Sequence, residues 1–409
     1  MGRLIRKKAE DPRKKLLFVL AAVLLLSSAC AGQEAYIPVQ PCSDFQTASF
    51  LQSTKLKVQF LLFTSSNPSC GQLISLGDDI KNSNFNTSLD TKIIIHGFRA
   101  LGTKPSWING LMGALFRAAK VNVVAVDWVY GATRTYPGAV ENVMKLSIEI
   151  SHFINKLLPT ASLHPAFIIN ARERDFGIRI PVGHIDYFIN GGKDQPGCPR
   201  FISLGYNYLI CDHMRAVHLY VNALENSCPM MAFPCSSHEN FLAGHCLDCS
   251  KPFLLSCPRI GLLERGGVSV AKLPEEVKVY LVTASSAPYC MYHSLVEFHL
   301  QQKRSLVTNL EITFRSTNST ASVKITIPKQ QQLGKGVLAH PVPLCQIDAV
   351  TLKYLPKSQI WKKDKAVIVG NFCTTALPVS NREKMFCLSQ SLSLTASRPF
   401  EHDLAVACA

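Results

Sequence analysis

The chain is 409 residues long and 47% hydrophobic, enough for a sizeable core and for more than one structural unit. Its formal charge is +15, but Arg3, Arg6, Lys7, Lys8, Arg13, Lys14 and Lys15 against Glu10 and Asp11 place five of those charges in the first fifteen residues. The remainder, near +10, favours anionic surfaces, and with no basic cluster interleaved with aromatics nucleic acid is excluded as the expected partner.

Behind the basic start, Leu16–Leu26 is purely apolar and Ala29-Cys30-Ala31 offers small residues for cleavage. That is the layout of a signal peptide over residues 1–31, and the run is short for a bilayer span. Cleavage there removes Cys30 and leaves fourteen of the fifteen cysteines, an even number suited to disulfides in a secreted, extracellular protein.

Further along, Val58–Phe63 reads as a strand, Asn67-Pro68 as a turn and Asn86-Thr87-Ser88 as a glycosylation sequon. Lys92–Ile95 and Val121–Val126 are continuous apolar runs separated by a helix-sized insert, the pattern of buried parallel strands joined by a crossover. They stop at His96-Gly97-Phe98 and at Asp127-Trp128. In α/β sheets chemistry gathers at such carboxyl ends, and Gly97 lets the backbone turn tightly there; a plain strand-to-loop turn reads the same way. From Ala139 to Leu158 the residues Val143, Leu146, Ile150, Ile154 and Leu157 recur at helical spacing until Pro159 stops the helix. Residues 159–176 offer only one brief strand, Ala166–Ile169.

Four motifs in order then carry a resemblance: Ile94-Ile95-His96-Gly97-Phe98, Val126-Asp127-Trp128, the run Gly183–Gly192 (GHIDYFINGG), and Cys211-Asp212-His213-Met214-Arg215-Ala216. Over about 32–158 and 177–409 the chain resembles the secreted pancreatic-lipase family. The resemblance implies an α/β fold class: an α/β-hydrolase domain over 32–275, its central sheet truncated at 159–176, followed by an all-β PLAT-like sandwich over 276–409. It implies hydrolysis of the sn-1 acyl ester of phosphatidylserine and lysophosphatidylserine at a phospholipid membrane surface, with no cofactor and no metal. His213 matches the general base, work that suits imidazole because its pKa lies near neutrality. Phe98 matches the position whose backbone N–H helps form the oxyanion hole. Cys198 and Cys211 match the pair that pins a lid, here the twelve residues Pro199–Ile210, as short as in the phospholipase A1 branch.

One departure outweighs these matches. The family's nucleophile sits in Gly-x-Ser-x-Gly between a central strand and a helix, followed by the Asp that orients the histidine. This sequence contains no Gly-x-Ser-x-Gly, and none of Ser162, His164 and Asp175 has the surrounding motif. Eighteen residues separate the helix ending near Leu158 from Gly177, too few for two strands and a helix, as a skipped exon or a faulty gene model would leave. No ester hydrolysis is expected from such a chain, and neighbours of the missing strands lose ladder partners at about 1–3 kcal/mol per buried unpaired group.

The later chain reads as intact. Cys246-x-x-Cys249 also suits zinc, but a secreted chain favours disulfides, and the resemblance pairs Cys235 with Cys246 and Cys249 with Cys257. Lys272–Glu276 reads as a linker. The period-2 runs Lys278–Val282, Val296–Leu300, Leu310–Phe314 and Val323–Ile327 read as sandwich strands, with a second sequon at Asn318. Trp361–Lys365 is either a solvated turn or a contact for anionic lipid or heparan sulfate. Two functions follow as expectations: a phospholipase A1 relative with an impaired site, or a non-catalytic secreted isoform that binds anionic lipid or heparan sulfate surfaces.

Overall fold

Apolar β-branched runs with Gly, Pro and Asn between them fold as expected into buried strands. The structure is a computed structural model that describes residues 42–48, 55–74, 80–99, 102–133, 135–157, 167–170, 181, 183–200, 206–225, 228–253, 257–262, 276–356, 366–379 and 385–408. The signal-peptide segment 1–31, the linker 272–275 and the Trp361–Lys365 run lie outside the described residues.

The first sheet contains β1 (Gln59–Phe63), β2 (Gln72–Ile74), β3 (Thr91–Ile95) and β4 (Asn122–Asp127) in the order β2-β1-β4-β3. β3 and β4 run parallel, in register from Thr91 opposite Asn122 to Ile95 opposite Val126, joined by helix α1 (Trp107–Ala118). β1 is antiparallel to both β4 and β2. Alternation along the strands feeds two cores. Leu61, Phe63, Val123 and Ala125 pack with Ile108, Leu111 and Leu115 of α1, while Phe60, Leu62, Val124 and Val126 pack with Leu146, Ile150 and Phe153 of α2 (Tyr136–Leu157).

A second sheet has β5 (Phe167–Asn170), β6 (Ile185–Ile189), β7 (Phe233–Pro234) and β8 (Val277–Leu281) in the order β5-β6-β8-β7. β5, β6 and β8 are parallel. Among the described residues no ladder joins β3 to β5, and each is the edge strand of its own sheet. Helix α3 (Tyr206–Glu225) spans the break: Val221 and Leu224 pack on the first core, Leu219 and Ala223 on the second, and Tyr220 on both.

β8 corrects the sequence reading. Residues 278–282 were expected to open the sandwich, whereas the strand pairs with β6 from Ile185–Val277 to Ile189–Leu281 and is buried inside the α/β portion. Its period-2 pattern fits either environment; the partner is 92 residues away in sequence, Ile185 opposite Val277, and invisible to local pattern. The remaining strands begin with β9 (Tyr292–Leu300). One antiparallel sheet orders β11 (Ser319–Ile327), β10 (Thr308–Ser316), β13 (Ala349–Leu355) and β17 (Phe400–Asp403). The other joins β12 (Leu333–His340), β9, β14 (Val367–Ala376) and β15 (Phe386–Leu388), with β16 (Leu392–Leu394) also on β14. The two sheets share one core in which Phe298, Phe314 and Phe372 are buried. Asp44–Ala409 form one compact unit.

α2 also departs from its expected face. Leu146, Ile150 and Leu157 are buried, but Val143 is 46% exposed and Phe153, which the spacing passed over, is fully buried against the Phe60 ring at 3.9 Å.

Candidate active site

The residues singled out in the sequence converge where β3 ends. His96 follows β3 directly and is clamped to the end of β4: the Trp128 indole N–H donates to the His96 carbonyl at 2.7 Å, and the Trp128 backbone N–H donates to His96 Nε2 at 3.2 Å. Nδ1 lies 2.9 Å from the Gly97 carbonyl, which can only accept, so Nδ1 holds the proton and the ring is neutral. Burial pushes the His96 pKa down to about 4, against a weaker opposing pull from the Gly97 carbonyl. Asp127 Oδ1 is 4.0 Å from His96 Nε2, but a neutral imidazole makes no ion pair with it. The carboxylate is held instead by the backbone N–H groups of Gln46 at 2.5 Å and Val129 at 3.0 Å, and burial raises its pKa.

Beyond this clamp Gly97 is exposed and Phe98 half-buried, its ring edge-on to Tyr136 at 5.7 Å. Among the described residues the Phe98 N–H makes no hydrogen bond, which leaves that donor available to a reacting oxygen.

α3 brings His213 to the same place. Its Nε2 is 3.8 Å from the position that a Cβ on Gly97 would take. The imidazole has solvent on one side, yet desolvation by the surrounding atoms lowers its pKa, so it is neutral and able to accept a proton near pH 7. Among the described residues no side chain hydrogen-bonds to it.

The mounting of His213 is elaborate even though the ring is unpartnered. Asp212, buried, accepts from the Gln195 N–H at 2.8 Å, and Gln195 Nε2 donates to the carbonyls of Ile189 and Lys193. Asn190, in a left-handed turn at φ 51°, donates to Gln195 Oε1 and accepts from the Thr283 N–H. Arg215, buried on the next turn, points at the Ala284 and Ser285 carbonyls and stacks over Tyr289 at 4.5 Å. Asn190, Asp212 and Arg215 stood in the quoted motifs, but position alone assigned them no role, and Gln195, Thr283 and Tyr289 lie outside those motifs.

Cys198 and Cys211 are joined, as are Cys235 with Cys246 and Cys249 with Cys257. Cys228–Cys290, Cys345–Cys408 and Cys373–Cys387 add pairings not assigned from sequence. The lid reading needs one correction: Tyr206–Ile210 are the first turns of α3, not loop, and 201–205 lie outside the described residues. The first sequon, Asn86, is exposed, its Oδ1 taken by Ser88 N–H and hydroxyl; the second, Asn318, sits exposed in the two-residue turn between Ser316 and Ser319. Among the described residues no group of His, Cys, Asp and Glu could hold a metal ion.

A family model described as Lipase matches residues 22–169 and 162–289, breaking at the segment between the two half-sheets. The chain is 52% identical to phospholipase A1 member A of Homo sapiens over 451 positions, covering 97% of this chain and 99% of that protein. Identity to the Mus musculus protein of the same name is 53%, over 94% and 96% of the two chains. Lipase member H of Danio rerio is 31% identical over 92% and 94%. An alignment of 451 positions against a chain of 409 means that the human relative carries at least 42 positions with no counterpart here.

Proposed function

The chain belongs to the lipase family, and from that premise we propose that it is a secreted phospholipase A1 relative whose site has kept its base and one oxyanion donor while losing the group that attacks. The observation that carries the reading is His213 facing Gly97 with no carboxylate or hydroxyl engaged on its ring among the described residues.

In the complete reaction a serine oxygen attacks the sn-1 acyl carbonyl, His takes its proton and later returns it to the leaving alcohol, and an Asp fixes the tautomer. Here His213 is neutral and able to accept, and Phe98 supplies one N–H. The second donor belongs to the residue after the nucleophile, and the sequence has no Gly-x-Ser-x-Gly to provide it. Loss of a nucleophile costs on the order of a millionfold in turnover in the serine-protease case. In this reading the strands for the elbow and the Asp would stand between β3 and β5, each an edge strand of its sheet among the described residues. The α/β-hydrolase domain and the PLAT-like sandwich belong to the same reading, with the boundary moved past β8.

Phosphatidylserine and its lyso form are the proposed family substrates, and a phospholipid membrane surface is the proposed partner. Release of fatty acid from phosphatidylserine by the purified chain tests the proposal. No release is expected; turnover that disappears in His213→Ala would overturn it. A second reading, a non-catalytic secreted isoform holding anionic lipid or heparan sulfate, is favoured by the net charge near +10 that remains beyond the first fifteen residues and by the two antiparallel C-terminal sheets. Retained binding to anionic liposomes without hydrolysis supports that reading.

A further inference from the structure

One side of α2 is apolar and turned away from the core. Leu146, Ile150 and Phe153 face into the first sheet's packing, whereas Val140, Met144 and Ile148 follow one outward line at four-residue steps, with Val143 on its flank. These four side chains are between 46% and 71% exposed. The surface continues at β3. Ile93 packs into the same core as α2, and Ile95, two residues on and so on the same face of the sheet, is half exposed. A contiguous patch of large apolar side chains is an interaction surface, which singly scattered ones are not.

The polar flank of the helix selects the partner. Glu141, Lys145 and Glu149 are exposed and recur at the same four-residue step, so the rim alternates in sign and carries two carboxylates against one ammonium. An anionic bilayer repels those carboxylates, and helices that lie in such a surface carry basic rims instead. Pairing within the helix satisfies the three charges but leaves the apolar line in water. A second copy of the chain answers both. Two α2 helices packed antiparallel about a two-fold axis place the same flank of each on the same side of the contact, running in opposite directions. With the axis level with Ser147, midway between Lys145 and Glu149, each Lys145 meets the other copy's Glu149, while Met144 and Ile148 of the two copies cover one another.

We propose that α2 is the contact face of a two-fold symmetric dimer of this chain, closed by Val140, Met144 and Ile148 and held in register by Lys145 against Glu149. One helix face and one strand end make a small interface, so the dimer forms and parts in the micromolar range. Tyr136, in the first turn of α2, meets the Phe98 ring, which places the partner beside the turn that carries the oxyanion donor. The dimer requires no catalysis.

Sedimentation velocity of the full chain across the micromolar range tests it, with flotation on phosphatidylserine-containing liposomes in parallel. A monomer–dimer equilibrium is expected. Met144→Lys with Ile148→Lys should weaken it by at least about tenfold. Lys145→Glu sets like charges opposite each other and should weaken it about three- to tenfold; adding Glu149→Lys should restore it to within about twofold. Both rim residues are exposed, so this charge swap reads the contact even where the apolar pair of substitutions fails to fold. A chain that stays monomeric, a dimer indifferent to the apolar pair, growth into open-ended aggregates, or a double reversal no better than the single one would overturn the proposal. So would an apolar pair whose only effect is loss of liposome binding, which would make the bilayer the occupant.

Discussion

His213 Nε2 stands 3.8 Å from where a Cβ on Gly97 would be, so the imidazole lies over the backbone that leaves β3. That backbone is held in place by Trp128, whose indole N–H donates to the carbonyl of His96. Trp128→Phe keeps an aromatic ring, though a smaller one, and leaves a carbonyl beside a buried imidazole without its donor. We expect a loss of about 1–3 kcal/mol in unfolding free energy, measured by urea denaturation. An unchanged midpoint would show that the clamp contributes nothing.

Acid should weaken the fold. His96 and His340 titrate at about 4 and His293 at about 3 in the native chain, against an ordinary value near 6.5 when unfolded. Burial is the main cause in each. Between those values the unfolded chain binds more protons, so stability rises with pH. The contribution is complete above about pH 6.5 and is lost as pH falls towards 4 and then 3, at up to about 1.4 kcal/mol per pH unit for each ring. Asp127, raised by burial, works in the opposite sense, one group against three. The thermal midpoint should therefore drop steadily from about pH 6.5 to about pH 4; a flat profile would contradict these buried neutral rings.

Much of the site could be read from residues alone because its signals are local. The runs at Lys92–Ile95 and Val121–Val126 end abruptly, and their parallel pairing places His96 and Trp128 side by side. What could not be read is non-local. β8 alternates like any sandwich strand, and only its pairing with β6 assigns it to the α/β portion. On α2 the spacing counted Val143 inward and omitted Phe153, because several phases of a helix this apolar satisfy the same rule. His293 and His340 carry no sequence signal; strand register buries them.

α2 shows what the break in the sheet leaves uncovered. Tyr136, Val140, Met144 and Ile148 follow one line along the helix at four-residue steps, between 37% and 71% exposed, and Ile95 at the open edge of β3 is 49% exposed. Met144→Lys with Ile148→Lys should leave the fold intact, since neither side chain is in the core, and should reduce association with rising concentration. Light scattering of the purified chain checks this; unchanged association would place the sticky surface elsewhere.

Both sequons lie on exposed turns, so entry into the secretory pathway should leave a mark on them. Expression in secreting cells should give protein whose mobility increases on enzymatic deglycosylation. Asn86→Gln and Asn318→Gln should each remove one step of that shift, and the double variant should remove all of it. Protein with no shift would place the chain outside that pathway or leave the turns unmodified.

The strongest consequence of the split sheet concerns repair. β3 and β5 have open parallel edges, α3 already bridges the two half-sheets, and the base is already mounted on Asp212 and Arg215. The human relative carries at least 42 positions that this chain lacks, and the family match breaks at 162–169. Replacing residues 159–176 with the corresponding longer segment of that relative should fill the gap with hydrogen-bonded strands and set a serine before His213. Fluorophosphonate labelling of one serine and fatty-acid release from phosphatidylserine should both appear, and His213→Ala in the repaired chain should abolish the release while leaving the thermal midpoint within a few degrees. A repaired chain that folds and takes no label would mean that the present position of His213 is not the catalytic one. Labelling that survives with no hydrolysis would locate the fault in the oxyanion donors near Phe98 instead, because a nucleophile reactive enough for the probe already has its base.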